Sequence, residues 1–108
     1  MGARPKTFET YQPYDPVERI VDVVRREPRV EKAILFGSRA RGDHRPRSDV
    51  DLAIVAPGLD AGGWRALLEA VETQARTLIG RDLVLYRETS GAFRQEIDRF
   101  GVVVYERA

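Results

Sequence analysis

The stretch Gly37-Ser38-Arg39-Ala40-Arg41-Gly42-Asp43-His44-Arg45-Pro46-Arg47-Ser48-Asp49-Val50-Asp51-Leu52 decides how this chain is read. Before it, Val30 to Phe36 becomes nearly all apolar, as a buried central strand does. Gly37-Ser38 ends that run, a polar loop follows to Ser48, and Asp49 to Val55 reads as a second strand. Residues i and i+2 of a strand share a face, roughly 7 Å apart. Asp49 and Asp51 therefore project together, while Val50, Leu52 and Ile54 turn the other way into a core. Two carboxylates on one face repel unless a cation lies between them, and hard oxygen ligands suit Mg²⁺. Asp-x-Asp alone is equally the solvated start of a strand; its setting gives it weight.

That setting is a turn with free backbone N–H groups at Gly37-Ser38, beside Arg39 and Arg41, suited to cradling phosphates. The spacing Gly37-x₄-Gly42 is not a Walker loop, because Asp43 and His44 stand where Lys and Ser/Thr should follow. A third carboxylate, Asp82, opens the apolar run Leu83 to Tyr86. Alone it is an ordinary strand-end acid. If its strand pairs beside that of Asp49 and Asp51, it completes a triad with room for two metal ions, one on a triphosphate and one on an acceptor hydroxyl.

Outward from this segment, Asp15-Pro16-Val17-Glu18 predicts a helix start, with Val17, Ile20, Val21 and Val24 as its apolar stripe. Trp64, Leu67, Leu68, Val71, Ala75, Leu78 and Ile79 predict the longest amphipathic helix, ended by Gly80, with Gly62-Gly63 as a breaker before it. Gly91 to Phe100 reads as a short helix and Val102 to Tyr105 as a last strand. The order α-β-β-α-β-α-β predicts an α/β (α+β) domain over 15–108: a small mixed sheet of about four strands with helices packed against it. Residues 1–14 read as an extended arm, whose Phe8, Tyr11 and Tyr14 suit either a partner or the domain itself.

Composition narrows the function. The chain has 108 residues, room for one domain, and no cysteine, which excludes disulfides, thiol catalysis and zinc-thiolate sites. With 18 basic and 17 acidic residues the net charge is +1, so no nucleic-acid partner is expected. Four of its sixteen arginines, Arg39, Arg41, Arg45 and Arg47, lie in the loop after Gly37. Arginine suits bidentate phosphate recognition; an arginine bias is equally what a GC-rich or thermophilic source gives. Arg45, Arg47 and the single histidine, His44, read as solvated, Ser48 as a cap for the strand entry and Trp64 as core. No apolar run reaches membrane-spanning length and the first ten residues show no secretory pattern, so a cytoplasmic protein is expected.

Gly-Ser, then Ala-Arg-Gly, then Ser-Asp-x-Asp-Leu, at Gly37, Ser38, Ala40, Arg41, Gly42, Ser48, Asp49, Asp51 and Leu52, resembles the signature of the DNA polymerase β-like nucleotidyltransferase superfamily. More narrowly, it resembles the minimal nucleotidyltransferases (MNT), over about residues 17 to 105. Asp82-Leu83-Val84 stands where that family has its third carboxylate. The resemblance implies a polymerase β-like nucleotidyltransferase fold and phosphate binding at Gly37 and Ser38, with Arg39 and Arg41 beside them. It implies Mg²⁺, two ions, on Asp49, Asp51 and Asp82, with Asp82 as general base, and ATP as substrate. It further implies a HEPN-domain toxin as partner in a hetero-oligomer, neutralised by AMP transfer to a tyrosine. Nucleotidylation of a small, aminoglycoside-type molecule and a non-catalytic antitoxin acting by occlusion are the alternatives.

Overall fold

The computed structural model describes residues 15–77 and 79–108. The arm expected at 1–14 and the helical place expected for Leu78 lie outside the described residues.

Helix α1 (Pro16–Val24) starts as its sequence dictates: Asp15 Oδ1 accepts from the N–H groups of Val17 at 2.9 Å and Glu18 at 3.4 Å, with Pro16 in the first turn. Its buried side is Ile20, Val23 and Val24. The predicted stripe named Val21 and missed Val23. Apolar residues cover a broad face of this helix with Val21 at one margin and Val23 at the other, and packing against the sheet and the long helix covers the Val23 side more fully.

Strand β1 (Lys32–Phe36) leads into a one-turn helix α2 (Ser38–Arg41), then β2 (Val50–Val55), α3 (Ala61–Gln74), β3 (Arg81–Leu85), a 3₁₀ turn at Tyr86–Glu88, α4 (Gly91–Phe100) and β4 (Val102–Glu106). The sheet order is β3-β2-β1-β4, with β1 antiparallel to β2 and β4, and β2 parallel to β3. This is a mixed four-stranded α+β domain, and α3 is the crossover that a parallel pair requires.

Two expected features are corrected. Helix α3 ends at Gln74 rather than at Gly80, because Ala75 leaves helical dihedrals and the Thr77 hydroxyl closes a local turn with Ile79, donating to its carbonyl at 2.7 Å. Ala75 and Ile79 still pack on the core, so the apolar period outlasts the helix. Gly62-Gly63 breaks nothing: both lie inside α3, and the Gly63 N–H donates to the capping carboxylate of Asp60 at 2.7 Å.

The sheet is covered on both faces. On one, Val50, Leu52 and Ile54 pack with Ile20, Val23 and Val24 of α1 and Leu67 and Val71 of α3. On the other, Phe36 and Ala53 pack against Ile97 of α4, and Phe93 meets Phe36 edge-on with ring centroids 5.4 Å apart. Trp64, expected as core, is half-buried at the margin of the first layer. Among the described residues no helix is long and apolar enough to cross a membrane.

Arg87 ties the layers at the β2–α3 connection, donating from Nη1 to the Ala56 carbonyl at 2.5 Å and from Nη2 to that of Leu59 at 2.6 Å. Charged donors on backbone carbonyls are among the stronger hydrogen bonds. Arg87→Met is expected to lower stability by about 2 kcal/mol, read as a lower denaturation midpoint. An unchanged midpoint would show that the connection holds itself.

Candidate active site

The site grows from the ends of three strands. β1 ends in Gly37, whose φ of 77° and ψ of −157° lie where L side chains are strained. This lets the chain turn at once into α2, where the Gly37 carbonyl accepts from the N–H groups of Ala40 and Arg41, both at 3.1 Å. The N–H groups of Ser38 and Arg39, and the Ser38 hydroxyl, have no partner among the described residues. The predicted open loop after Gly37 is thus partly a helical turn, too short and too polar to show a period.

Asp51 lies on β2 directly opposite Phe36 of β1 and Asp82 of β3, on the face shared with Ala53 and α4. Its carboxylate occupies the space beside Gly37: a Cβ there would fall on Asp51 Oδ2. Asp49 is set the same way against Gly80, where a Cβ would come within 2.5 Å of Asp49 Oδ1. Both acids approach the neighbouring backbone where a side chain is lacking. Asp82 lies inside β3 rather than ahead of it, because the strand begins at Arg81 and Tyr86 belongs to the 3₁₀ turn.

Electrostatics links the three acids. Burial raises the Asp51 pKa, the charges of Asp82 and then Asp49 raise it further, and Arg41 opposes them. The cluster therefore carries more negative charge than its surroundings neutralise. Among the described residues no group of three His, Cys, Asp or Glu side chains forms a ready metal cage. Mg²⁺ does not require one, since it is commonly held by one or two carboxylates, water and substrate phosphates. Hard, mutually repelling oxygens set beside a turn of free N–H groups fit that cation.

The arginines are already engaged. Arg39 donates to the carbonyls of Ser48 (3.1 Å) and Pro46 (3.2 Å), fastening the loop that delivers Asp49. Arg41 reaches Glu96 of α4 at 2.8 Å and Asp43 at 3.4 Å. Ser48 orders the same loop, its hydroxyl accepting from the Arg45 N–H at 2.8 Å. His44, Arg45 and Arg47 are exposed. Two contributors escaped the sequence reading of the site. In sequence Gly80 reads as a helix end, and the register that sets it opposite Asp49 is the signal that finds it. Glu96 had no partner visible in sequence.

Comparison with known proteins agrees with this architecture. The sequence profile of the polymerase beta nucleotidyltransferase family matches residues 18–108. None of the curated proteins compared with the chain matches it. Among solved structures, a toxin–antitoxin complex with AMP-PNP matches at TM-score 0.64 and 25% identity, covering 83% of this chain and 73% of that one. A Shewanella oneidensis complex of a tri-AMPylated HEPN toxin with its MNT antitoxin matches at TM-score 0.59 and 22% identity, covering 85% and 71%. A candidate minimal nucleotidyltransferase matches at TM-score 0.56 and 23% identity, covering 86% and 97%. The last two share the fold. With the family profile running from α1 to the last residue, this chain belongs to the polymerase beta nucleotidyltransferase family.

Proposed function

We propose that this chain is a Mg²⁺-dependent adenylyltransferase that moves AMP from ATP to a tyrosine hydroxyl of a HEPN-domain toxin and so acts as its antitoxin, in a hetero-oligomer with it. The observation that carries this reading is the register of Asp51 and Asp82 on adjacent parallel strands, with Asp51 seated against the Gly37 turn. The toxin–antitoxin complex with AMP-PNP, at 25% identity, supports ATP as substrate and a toxin as partner. The tri-AMPylated HEPN toxin of the Shewanella oneidensis complex is a precedent for the reaction.

In this reading the N–H groups at Ser38 and Arg39 and the Ser38 hydroxyl receive the phosphates. The guanidinium nitrogens of Arg39 and Arg41 left over from their present bonds add positive charge there. Asp49, Asp51 and Asp82 hold two Mg²⁺ ions. When bound, Mg²⁺ supplies neutralisation of triphosphate charge and a lower pKa for the acceptor hydroxyl. Asp82, on the exposed edge strand, takes the hydroxyl proton. The hydroxyl oxygen bonds to the α-phosphorus, the bond from that phosphorus to the bridging oxygen breaks, and pyrophosphate leaves. Such chemistry depends on positioning and charge stabilisation, so no covalent nucleophile is needed.

The test incubates the purified protein with α-labelled ATP, Mg²⁺ and a HEPN protein encoded in the neighbouring reading frame. Label and an added adenylate mass are expected on the HEPN protein, and both should vanish with EDTA. A folded HEPN protein that binds yet stays unlabelled would overturn the reading. Neutralisation in cells by both Asp49→Asn and Asp51→Asn would favour occlusion instead.

A further inference from the structure

Among the described residues no strand pairs with the outer edge of β3, and its backbone is laid out to accept one. The Val50 N–H donates to the Gly80 carbonyl at 2.9 Å, which fixes the phase of the parallel β2–β3 ladder. In such a ladder alternate residues bond to the neighbour. Asp82 and Val84 therefore bond to β2, while Arg81 and Leu83 turn their N–H and C=O groups away from the sheet; Leu85, next in that phase, is buried and opens the 3₁₀ turn. Two cavities lie end to end along this edge and share Leu83. One, about 470 Å³, runs from Gly80 and Asp82 to Leu68 and Val71 of α3. The other, about 250 Å³, lies between Trp64 of α3 and Phe93 of α4, beside Leu85 and Glu88.

We infer that this edge binds an extended segment of the acceptor protein by strand addition, and that the added strand carries the acceptor hydroxyl past Asp82. The inference rests on the adenylyltransferase reading above. Three observations select this occupant. The edge is continuous with the site, because Asp82 adjoins Leu83 on the same strand. Residues paired across neighbouring strands share a face, so a hydroxyl side chain opposite Asp82 faces the Asp51 side, while its sequence neighbour, opposite Leu83, faces α3. That neighbour enters the apolar wall of Leu68, which is 38% exposed, and Val71. Charge gives the third: the lining carries Glu72, Asp82 and Glu88 against Arg81, which is engaged with Glu72 at 2.8 Å. A net acidic edge favours a segment with a basic residue over a second copy of this chain. The acceptor sequence is thus a hydroxyl residue next to a bulky apolar one, with Lys or Arg a few positions away to reach Glu88. Backbone bonds then supply affinity and the two cavities supply selectivity.

The test is hydrogen exchange on the full chain with Mg²⁺ and a non-hydrolysable ATP analogue, with and without the HEPN protein. The amides of Arg81 and Leu83 are expected to exchange at least about tenfold more slowly in the complex. In the transfer assay, Leu68→Lys is expected to raise KM for the HEPN protein about tenfold, with kcat and nucleotide affinity unchanged. A complex in which both amides still exchange freely, or no complex at all, overturns strand addition. Unaltered KM in Leu68→Lys does the same. Protection of both amides without any AMP transfer would keep the docking edge and remove the adenylyltransferase reading instead.

Discussion

Replacing Asp51 by asparagine is expected to abolish AMP transfer and, in metal-free protein, to make the fold more stable. The two effects share one cause. Asp51 is partly buried beside Gly37, with Asp82 opposite it and Asp49 two residues away, and each of these disfavours its charge. A carboxyl whose pKa rises on folding binds its proton more tightly in the native state. As pH climbs from the ordinary carboxyl value of 3.8 through the raised native one, the folded chain loses that advantage and stability falls. Above that window the ionised carboxylate is a standing cost, which asparagine removes while keeping the shape. Activity moves the other way, since the amide gives up the charge that makes the site attractive to a cation. Loss of a metal-binding carboxylate is expected to reduce transfer by about 10³-fold or more, given that several kcal/mol of charge stabilisation are at stake. Thermal melts in EDTA across pH 3.5–7, beside transfer rates in Mg²⁺, check both halves. A variant that melts below wild type at neutral pH, or that still transfers AMP, would sink this account.

The second large effect comes from the two glycines that make room for the carboxylates. In Gly80→Ala the new Cβ arrives 2.5 Å from Asp49 Oδ1. The obstacle is the far end of a side chain, so the fold can yield by swinging the carboxylate aside. Stability is expected to change little, while transfer falls about 10²-fold, the usual order for an ångström of misplacement. Gly37→Ala is harsher, because the chain there also has a φ of 77°. It is expected to lose about 1–2 kcal/mol of stability together with at least as much activity. Measuring both variants separates steric displacement of an acid from backbone strain. Wild-type transfer by Gly80→Ala would mean that the seat of Asp49 against this backbone is irrelevant to the reaction.

Much of this arrangement was legible in sequence wherever a local signal repeats. Val50, Leu52 and Ile54 alternate against Asp49 and Asp51, and that alternation places the three apolar residues in the layer under α1 and α3, while Ala53 on the acidic face is buried under α4. Helix α4 reads correctly from Gly91 to Phe100 because Phe93, Ile97 and Phe100 recur at helical spacing. Signals failed where tertiary packing overrides periodicity. Ile79 keeps the helical period of α3 although the chain has already left the helix, since the core needs an apolar residue there whatever its conformation. β3 begins earlier than its apolar run predicts, because Arg81 and Asp82 are polar and an exposed edge tolerates polar residues that a central strand does not. The Arg41–Glu96 pair and the Asp49–Gly80 seat depend on contacts between distant segments. The acids themselves were candidates from their spacing; their neighbours required the register.

The crossover between β2 and β3 has a consequence for the order of events during synthesis. Asp49 and Asp51 leave the ribosome together, but Asp82 emerges only after the whole of α3, which lies in the connection between β2 and β3. Closing so long a connection is a slow, non-local step. A nascent chain halted before β3 therefore has two of its three acids and lacks the strand beside them, so the acid cluster assembles only late in translation, with β4 still to join the opposite edge of the sheet.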